Sequence, residues 1–401
     1  MADKQNISTL SGCYGCGVCA VACPRGVIEY GDDGDGFYRA RVADEAECID
    51  CGMCLKVCAH AHAEPADMPA FEPKGYAAWS NNADTRYRCS SGGVAFELSS
   101  LLIKQGYKAV GVRYNRDLSR AEHFVADTIE AYAPAQGSKY LPSFTSPALE
   151  EMKRGGHSKY VVTGTPCQID SIRRWIRARR REDDYVLIDI VCHGVPSRLA
   201  YAKYLDWLER RLGQRPHDIR FRDKLEGWHT ATAMSAYSDK GERLHFSPLR
   251  RGDMFLVFFI HERCLNRCCY DTCKYKMNHS AADLRLGDMW GRTYAKNEEG
   301  VTGVAALTER GDRLLKQLQT CTLEEVPMSV VTEEQARRNP KRSIAYGYTM
   351  RHLHRATPIE RIHHTATIME RVWGLPRRLR YYATRAAYKM GLKKQKSPRT
   401  I

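Results

Sequence analysis

Residues 13–24 read CYGCGVCAVACP, and residues 48–58 read CIDCGMCLKVC. In each run three cysteines are separated by two residues, and a fourth cysteine follows after three more. The two runs hold eight of the sixteen cysteines of this 401-residue chain. Thiols at so regular a spacing, repeated once, predict metal ligation at the amino-terminal end of the chain.

The doubled run is typical of domains that hold two 4Fe-4S clusters. Three closely spaced thiolates bind one cluster, and the distant fourth cysteine of each run binds the other. The predicted ligands are Cys13, Cys16, Cys19 and Cys58 for the first cluster, and Cys48, Cys51, Cys54 and Cys23 for the second. Structural zinc and disulfides are the alternatives, but a zinc site closes with four ligands and needs no doubled run.

The composition is that of a globular protein, with 43% apolar and 27% charged residues. No apolar run reaches the about 18 residues of a membrane-spanning helix, and the first residues lack the regions of a signal peptide. Cysteines without an export signal favour metal ligation in a reducing cytosol over a disulfide scaffold. We therefore expect a cytoplasmic protein, with a peripheral place at the inner membrane face as an option.

Charge is divided unevenly along the chain. Residues 1–70 carry 5 Lys/Arg against 11 Asp/Glu, a net charge of −6, whereas the whole chain carries +15. The remaining residues therefore carry +21. This division predicts a small acidic domain joined to a basic body, with an attraction between them that salt screens.

Strand, helix and turn patterns predict four parts. We expect an α+β ferredoxin-like cluster domain in residues 1–65, and a basic helical tail in 331–401. Between them lies an α/β body with a mixed sheet, in two regions, 75–158 and 159–330. The body is predicted from alternating segments, with strands at 108–114, 122–126, 159–163 and 185–191 and helices at 94–103 and 167–181.

Two shorter segments also have a readable pattern. Residues 27–30 and 37–42 alternate like the strands of a hairpin around an Asp/Gly tract at 31–36. The longest apolar stretch, Met254–Ile260, predicts a buried strand or a helix turn.

Five local signatures follow one another in the body. They are Ser91-Gly92-Gly93, Gly164-Thr165-Pro166-Cys167-Gln168, Cys192-His193-Gly194-Val195-Pro196-Ser197, Arg222-Asp223-Lys224 with Gly227-Trp228, and Ala282-Asp283 with Gly287-Asp288-Met289-Trp290-Gly291. In this order they resemble the coenzyme F-420 hydrogenase/dehydrogenase beta-subunit family, with its N-terminal region at 75–158 and its C-terminal region at 159–330. The ferredoxin-like extension is similar to that of some dehydrogenase members.

The resemblance implies an iron–sulfur flavoprotein, usually with FAD, that passes electrons between a ferredoxin-type chain and a second redox partner. In archaeal members that partner is a deazaflavin. Other members are similar to reductases of pigment intermediates or to proteins of surface-polysaccharide pathways. The family name alone therefore does not make a deazaflavin the substrate.

The resemblance also implies a third 4Fe-4S cluster, held by the body. The chain has a further cysteine group, which comprises Cys264, Cys268, Cys269 and Cys273. Cys269 and Cys273 best match a cysteine pair that recurs in the family, with a gap of three residues instead of two. Cys167 and Cys192 would complete four thiolates. A zinc site and free buried cysteines are the alternatives.

The flavin is expected near two turns. Ser91-Gly92-Gly93 precedes a helix, where free amides and the helix dipole bind phosphate, although an ordinary Ser N-cap is the alternative. Gly164-Thr165-Pro166 lies at a strand end, the usual ligand edge of an α/β sheet. His193 is the weak catalytic candidate, either as a proton relay or as a structural histidine.

Two basic segments remain. Residues 173–181 hold six arginines around Trp175 and predict a solvated helix face that could dock an acidic redox partner. Residues 371–401 hold ten Lys/Arg and no acidic residue, interleaved with aromatic residues and leucines. Such a segment binds an anionic membrane surface or forms a solvated tail. No recognised module predicts specific nucleic-acid binding.

We therefore expect an iron–sulfur flavoprotein oxidoreductase with two N-terminal 4Fe-4S clusters, a third cluster and FAD. Its partners would be a redox protein or ferredoxin and a small-molecule or deazaflavin-like substrate. The alternatives are a non-catalytic electron-relay subunit of a redox complex and a redox component of surface-polysaccharide synthesis. The sequence leaves the substrate, the direction of electron flow and the oligomeric state open.

Overall fold

The computed structural model describes residues 5–229, 232–276, 279–335 and 337–389, and gives the backbone alone from residue 376 onward. The strands are β1 Ile28–Asp32, β2 Tyr38–Val42, β3 Lys74–Ser80, β4 Lys108–Asn115, β5 Arg120–Ala126, β6 Ser143–Phe144, β7 Tyr160–Gly164, β8 Tyr185–Ile190, β9 Asp218–Asp223, β10 Ala233–Tyr237, β11 Arg243–Pro248, β12 Leu284–Asp288, β13 Thr302–Ala306 and β14 Cys321–Val326. The helices are α1 Val18–Ala22, α2 Met53–Val57, α3 Ala83–Arg88, α4 Val94–Lys104, α5 Ile129–Tyr132, α6 Ser146–Arg154, α7 Pro166–Ala178, α8 Arg198–Leu212, α9 Met254–Ile260, α10 Arg267–Asp271, α11 Glu309–Leu315, α12 Met328–Val331, α13 Tyr346–Leu353 and α14 Ile359–Lys389.

A nine-stranded mixed sheet organises the body, in the order β14-β3-β13-β12-β8-β7-β4-β5-β6. Strands β12, β8, β7 and β4 run parallel, and antiparallel strands flank them on both sides. The carboxyl ends of β7, β8 and β12 therefore lie side by side, at the edge where α/β sheets bind ligands. The predicted mixed sheet is confirmed. The division into four parts stays a prediction, since strands from both body regions share this sheet.

Helices cover both faces of the sheet. Helix α7 and the N-terminal domain (residues 5–65) pack on one face, in a core that includes Val162 and Leu187. Helices α4 and α11 pack on the other face, against Val161 and Val186. Neighbouring residues of one strand thus enter opposite cores, as the two-residue period of a strand requires.

Helix α7 begins where the sequence predicts it. Thr165 and Gln168 form a capping box, and Pro166 occupies the first turn. The helix ends at Ala178, three residues before the predicted end. The predicted helix at 94–103 and the four predicted strands are also confirmed to within a few residues. The stretch Met254–Ile260 is a buried helix, α9.

The N-terminal domain is fixed on the body. Its predicted hairpin is confirmed, with Tyr30 paired to Ala40 across β1 and β2. The hairpin tip reaches the start of α8, where Ser197 Oγ donates to the Asp35 carbonyl at 2.6 Å. A Cβ at Gly36 would lie 2.5 Å from Ser197 Oγ, so only glycine allows this approach. The domain therefore sits in one place rather than on a loose tether.

The last helix joins the body through its first half. Ile359 and Ile362 are buried in a core with α8 and α9. The basic character of the predicted tail falls on the other half, and residues 390–401 lie outside the described residues. Within the part of the chain that the structure describes, no helix is both long and apolar enough to cross a bilayer.

A buried ion pair connects two central strands. Arg285 on β12 donates to both carboxylate oxygens of Asp189 on β8, at 2.8 and 2.6 Å, and Asp189 is fully buried. Asp189→Ala is expected to lower the free energy of unfolding by about 3–5 kcal/mol, because it removes this counter-ion from a buried charge. The control Glu29→Ala removes an exposed pair with Arg41 and should cost about 1 kcal/mol or less. Equal shifts of the urea midpoint in the two variants would contradict this expectation.

Candidate functional site

The first cysteine set comprises Cys13, Cys16, Cys19 and Cys58, and the structure brings it together around α1 and the end of α2. Burial raises the pKa of the Cys16 thiol to about 12, and the charges of Cys58 and Cys13 add to this effect. Burial likewise raises the pKa of Cys19, with contributions from the other three thiols. Buried thiols that oppose one another's ionisation are stabilised when they bind a metal as thiolates.

The second cysteine set comprises Cys23, Cys48, Cys51 and Cys54, which line one small apolar hollow. Burial raises the pKa of Cys54, and the charges of Cys51 and Cys23 act in the same direction. Cys51 is exposed at the protein surface. The fourth cysteine of the first run therefore lies with three cysteines of the second run, in the arrangement that crossed ligation requires.

The third cysteine set comprises Cys167 on α7, Cys192 after β8, Cys269 on α10 and Cys273 beyond it. Burial raises the pKa of Cys167, and the charges of Cys192 and Cys269 raise it further. The charge of Cys273 raises the pKa of both Cys192 and Cys269. Segments that are distant in sequence thus converge on one place near the carboxyl ends of β7 and β8.

Backbone amides are directed at these sulfurs. The Gly15 amide donates to Cys13 Sγ at 3.3 Å, and the backbone of Gly194 acts to lower the pKa of the Cys192 thiol. Gly15 has a φ of +75°, and a Cβ there would lie 2.6 Å from the Tyr38 carbonyl oxygen. The turn thus requires glycine, and it supplies the hydrogen bonds to sulfur that tune cluster potentials.

The three sets form a continuous series. The charge of Cys54 in the second set acts on Cys19 in the first. The charge of Cys16 in the first set acts on Cys167 in the third. Ser171 of α7 also joins the first and third sets, because its Oγ lies 3.3 Å from Cys16 Sγ. The series runs from the exposed Cys51 to the interior of the body.

Cys268 and Cys264 lie outside the third set, although the sequence places them in the same group. Cys268 lies beside Cys13, and a Cβ at Gly12 would be 2.8 Å from its Sγ. Consecutive helix residues differ by about 100° in direction, so Cys268 and Cys269 leave α10 on different sides. Cys264 is fully buried one residue after Arg263. The helical periodicity of residues 267–271 is therefore the sequence signal that could have separated Cys268 from Cys269.

A cavity of about 830 Å³ opens at the carboxyl ends of β7, β8 and β12. Its wall includes Ser91 and Gly93 on one side and Gly164, Thr165 and Cys192 on the other. This volume lies in the range of about 300–1,000 Å³ that small-molecule and cofactor sites occupy. Both predicted flavin segments therefore reach one cavity, and Cys192 is the cysteine of the third set that belongs to its wall.

The Ser91–Gly93 turn is held by β13. Ser91 Oγ donates to the Val301 carbonyl at 2.8 Å, and the Gly92 amide donates to Thr302 Oγ1 at 2.9 Å. Gly93, with a φ of +91°, is the N-cap residue of α4. Ser91 is therefore not an N-cap, and the Gly92 amide is already bonded. The Phe96 amide already donates to the Gly93 carbonyl at 3.1 Å, so the amides left for a ligand are those of Val94 and Ala95 at the start of α4.

The Gly164–Pro166 turn offers less to a phosphate. The Thr165 amide donates to Gln168 Oε1 at 3.0 Å within the capping box, and Pro166 has no amide hydrogen. Thr165 Oγ1 lies 3.4 Å from Cys167 Sγ. This turn therefore supports the third cysteine set, and the start of α4 is the better phosphate site of the two.

Arg222 and Lys224, the two cations of the Arg222-Asp223-Lys224 signature, have different roles in the structure. Arg222 is buried in the cavity wall, donates to Asp288 at 2.7 Å and lies 4.4 Å from the ring centre of Trp290. Its Nε makes no hydrogen bond to another described group, although Tyr140 lies beside the guanidinium. Lys224 instead donates to three carbonyls, among them that of Ser91 at 2.6 Å, and so fixes the turn.

His193 also lines the cavity. Burial lowers its pKa to about 4, and the charge of Lys276 lowers it further. Its ring packs edge-on against Phe259, with 5.2 Å between ring centres, and its buried Nε2 makes no hydrogen bond to a described group. A neutral His193 can donate or accept a hydrogen bond at neutral pH, but it does not hold an extra proton to transfer.

Two family models match the chain. The model of the C-terminal region of the coenzyme F420 hydrogenase/dehydrogenase beta subunit matches residues 157–329, which contain all of the third cysteine set. The model of a 4Fe-4S dicluster domain matches residues 12–63, which contain the first and second sets.

A curated relative and a solved structure are also similar. The "Coenzyme F420-dependent sulfite reductase" of Methanocaldococcus jannaschii is 25% identical over 198 residues, which are 48% of this chain and 29% of that protein. This chain therefore matches less than a third of the relative's length. A chain of the F420-reducing NiFe hydrogenase complex from Methanosarcina barkeri has a TM-score of 0.45 at 16% identity, and the match covers 64% of this chain and 84% of that chain.

Proposed function

We propose that this protein, whose residues 157–329 belong to the coenzyme F420 hydrogenase/dehydrogenase beta-subunit family, is an iron–sulfur flavoprotein that passes electrons between 4Fe-4S clusters and a flavin. One observation carries the proposal. The series of three cysteine sets begins at the exposed Cys51 and ends at Cys192, which is part of the wall of a cofactor-sized cavity. A series of redox centres needs this continuity between the surface and the reacting site.

The cysteine sets fit 4Fe-4S clusters. A 4Fe-4S cube binds four thiolates, one at each iron, and each of the three sets has four cysteines. Such a cluster supplies one-electron transfer, at a potential set by burial and by hydrogen bonds to sulfur. This chain contributes both, through the apolar hollow around Cys54 and the amide of Gly15.

The cavity fits a flavin nucleotide such as FAD. The amides of Val94 and Ala95 at the start of α4 would bind the phosphates, and Lys224 and Thr302 hold the preceding residues Ser91 and Gly92 in place. Arg222, a cation of the cavity wall, would favour an anionic group of the bound flavin. A bound flavin supplies the conversion between one-electron and two-electron chemistry.

We further propose two kinds of partner. A small molecule, deazaflavin-like or of another kind, would react in the cavity, in line with the name of the Methanocaldococcus relative. A redox protein would exchange electrons at the surface near Cys51, where the second cysteine set is exposed. The acidic charge of residues 1–70 favours a partner with a basic contact surface.

Anaerobic purification with quantitation of iron, sulfide and flavin tests the proposal. We expect three clusters and one flavin per chain, that is about twelve iron and twelve sulfide for each flavin. Clusters without flavin, even after incubation with FAD, would identify a relay subunit instead. Zinc without labile sulfide would overturn the iron–sulfur assignment.

Crossed ligation makes a separate prediction. Cys58→Ala is expected to alter the electron paramagnetic resonance of the same cluster that Cys16→Ala alters, because both belong to the first set. Cys23→Ala should instead affect the cluster that Cys51→Ala affects. If Cys58→Ala and Cys51→Ala disturbed one and the same cluster, each run would hold its own cluster and the crossing would be wrong.

A further inference from the structure

Helix α14 leaves the body near Glu370. Ala366 is still fully buried, and Glu370 accepts a hydrogen bond from the fully buried guanidinium of Arg263 at 2.6 Å. Glu370 also accepts from Ser343 Oγ at 2.7 Å. These contacts anchor the helix, so the residues that follow have a fixed starting point on the protein surface.

Directly after this anchor the helix carries exposed apolar side chains. Val372 and Trp373 are each 64% exposed and Leu375 is 52% exposed. Ile368, Val372 and Leu375 are spaced by four and then three residues, so they share one face of the helix. Large apolar side chains that lie together in water mark a surface that another body covers.

Charge changes at the same place. Residues 371–401 contain ten Lys/Arg and no Asp/Glu. A second copy of this segment, packed against the first, would bring like charges together, because neither segment has an acidic residue after Glu370. An anionic lipid surface complements both features, because its headgroups attract Lys and Arg and its interface accepts Trp and aliphatic side chains. We propose that α14 from Ile368 onward binds the surface of an anionic bilayer without spanning it.

Surface binding would place the cavity close to the bilayer. His261 follows α9 and its Nδ1 lies 3.4 Å from Glu370 Oε2, at the anchor of the tail helix. Helix α9 supplies Phe259 and Ile260 to the cavity wall, and Ile260 is exposed. The residue at which the membrane-binding segment begins therefore lies close to the helix that forms one wall of the cavity.

Cosedimentation of the full-length protein with vesicles tests the proposal. We expect binding to vesicles of phosphatidylglycerol and phosphatidylcholine, and little binding to phosphatidylcholine alone. Binding should fall at least about tenfold between 0.1 and 1 M salt, since the Debye length falls from about 10 to about 3 Å. Equal binding to the two kinds of vesicle would overturn the electrostatic part of the proposal and with it the choice of an anionic surface.

Point variants identify the segment. Changing Val372 and Trp373 to Glu is expected to weaken vesicle binding at least about tenfold, because it removes apolar area and adds repulsive charge. Leu118→Glu is the matched control, since Leu118 is 54% exposed in the turn between β4 and β5. It should bind like the unchanged protein, and both variants should keep their iron and sulfide content.

Two outcomes would contradict the proposal. One is equal vesicle binding by the tail variant and the Leu118 control. The other is a salt-resistant dimer that the tail variant loses, without vesicle binding by either protein. The second outcome would show that another copy of this chain covers the apolar face.

Discussion

The Cys192→Ala variant is expected to keep the clusters of the N-terminal domain and to lose the proposed third cluster. Removal of one thiolate from the third set should cost about one third of the iron and sulfide. Loss of even an outer hydrogen-bond partner of a metal ligand costs about 10–100-fold in affinity or activity. Electron transfer between the N-terminal clusters and the flavin should therefore fall at least about a hundredfold.

Rapid-mixing measurements would detect this loss. A one-electron reductant is mixed with the anaerobic holoprotein, and the absorbance of the clusters and of the flavin is followed separately. Cys264→Ala is the matched control, because Cys264 is a buried cysteine close in sequence to Cys269 and Cys273 but lies outside the three cysteine sets. Normal iron content in Cys192→Ala, or an equal loss in Cys264→Ala, would remove Cys192 from the ligands.

The parts of this molecule that the sequence predicts best are those with a local signal. The cysteine runs fix their own geometry, because two intervening residues bring successive thiols to one side of a turn. Strands β7 and β8 are predicted because buried parallel strands read as continuous apolar runs. Helix α7 is predicted from the turn before it and its spacing of isoleucines. None of these features depends on a distant partner.

The sheet order could not be read from the sequence. Strand β3 comes early in the chain, yet it lies between β13 and β14, which come more than two hundred residues later. Such pairing depends on contacts between distant segments, whereas a strand pattern only reports which face is buried. The N-terminal domain makes the same point, since its hairpin tip contacts the start of α8.

In the candidate site, the roles of individual residues likewise depend on distant contacts that the sequence does not show. The sequence marks Gly92 as a residue with a free amide, but Thr302, 210 residues away, accepts its hydrogen bond. It includes Lys224 in a family signature, but the structure shows that the ammonium group of Lys224 donates to three backbone carbonyls. A family signature therefore indicates which residues form the cavity wall. The role of each residue in that wall depends on contacts that only the fold shows.

Ala95→Asp is expected to weaken flavin binding without weakening the fold. Ala95 is the second residue of α4 and lies in the cavity wall. A carboxylate in the first turn of a helix is favourable by about 0.3–1 kcal/mol, so the stability of α4 should be kept. The same carboxylate would stand where the proposed phosphate site lies, and contact between like charges costs several kcal/mol.

The dissociation constant of FAD should therefore rise at least about tenfold, which corresponds to about 1.4 kcal/mol. It is measured by titrating the flavin-free protein with FAD, with iron content and melting temperature followed in parallel. Ala95→Asn is the matched control, because it has nearly the size of aspartate without the charge. Equal weakening by both substitutions would mean that bulk, not charge, disturbs the site. Unchanged affinity in both variants would place the phosphates of the flavin away from α4, because a charge at the second residue of a helix acts on any anion at its N-terminus.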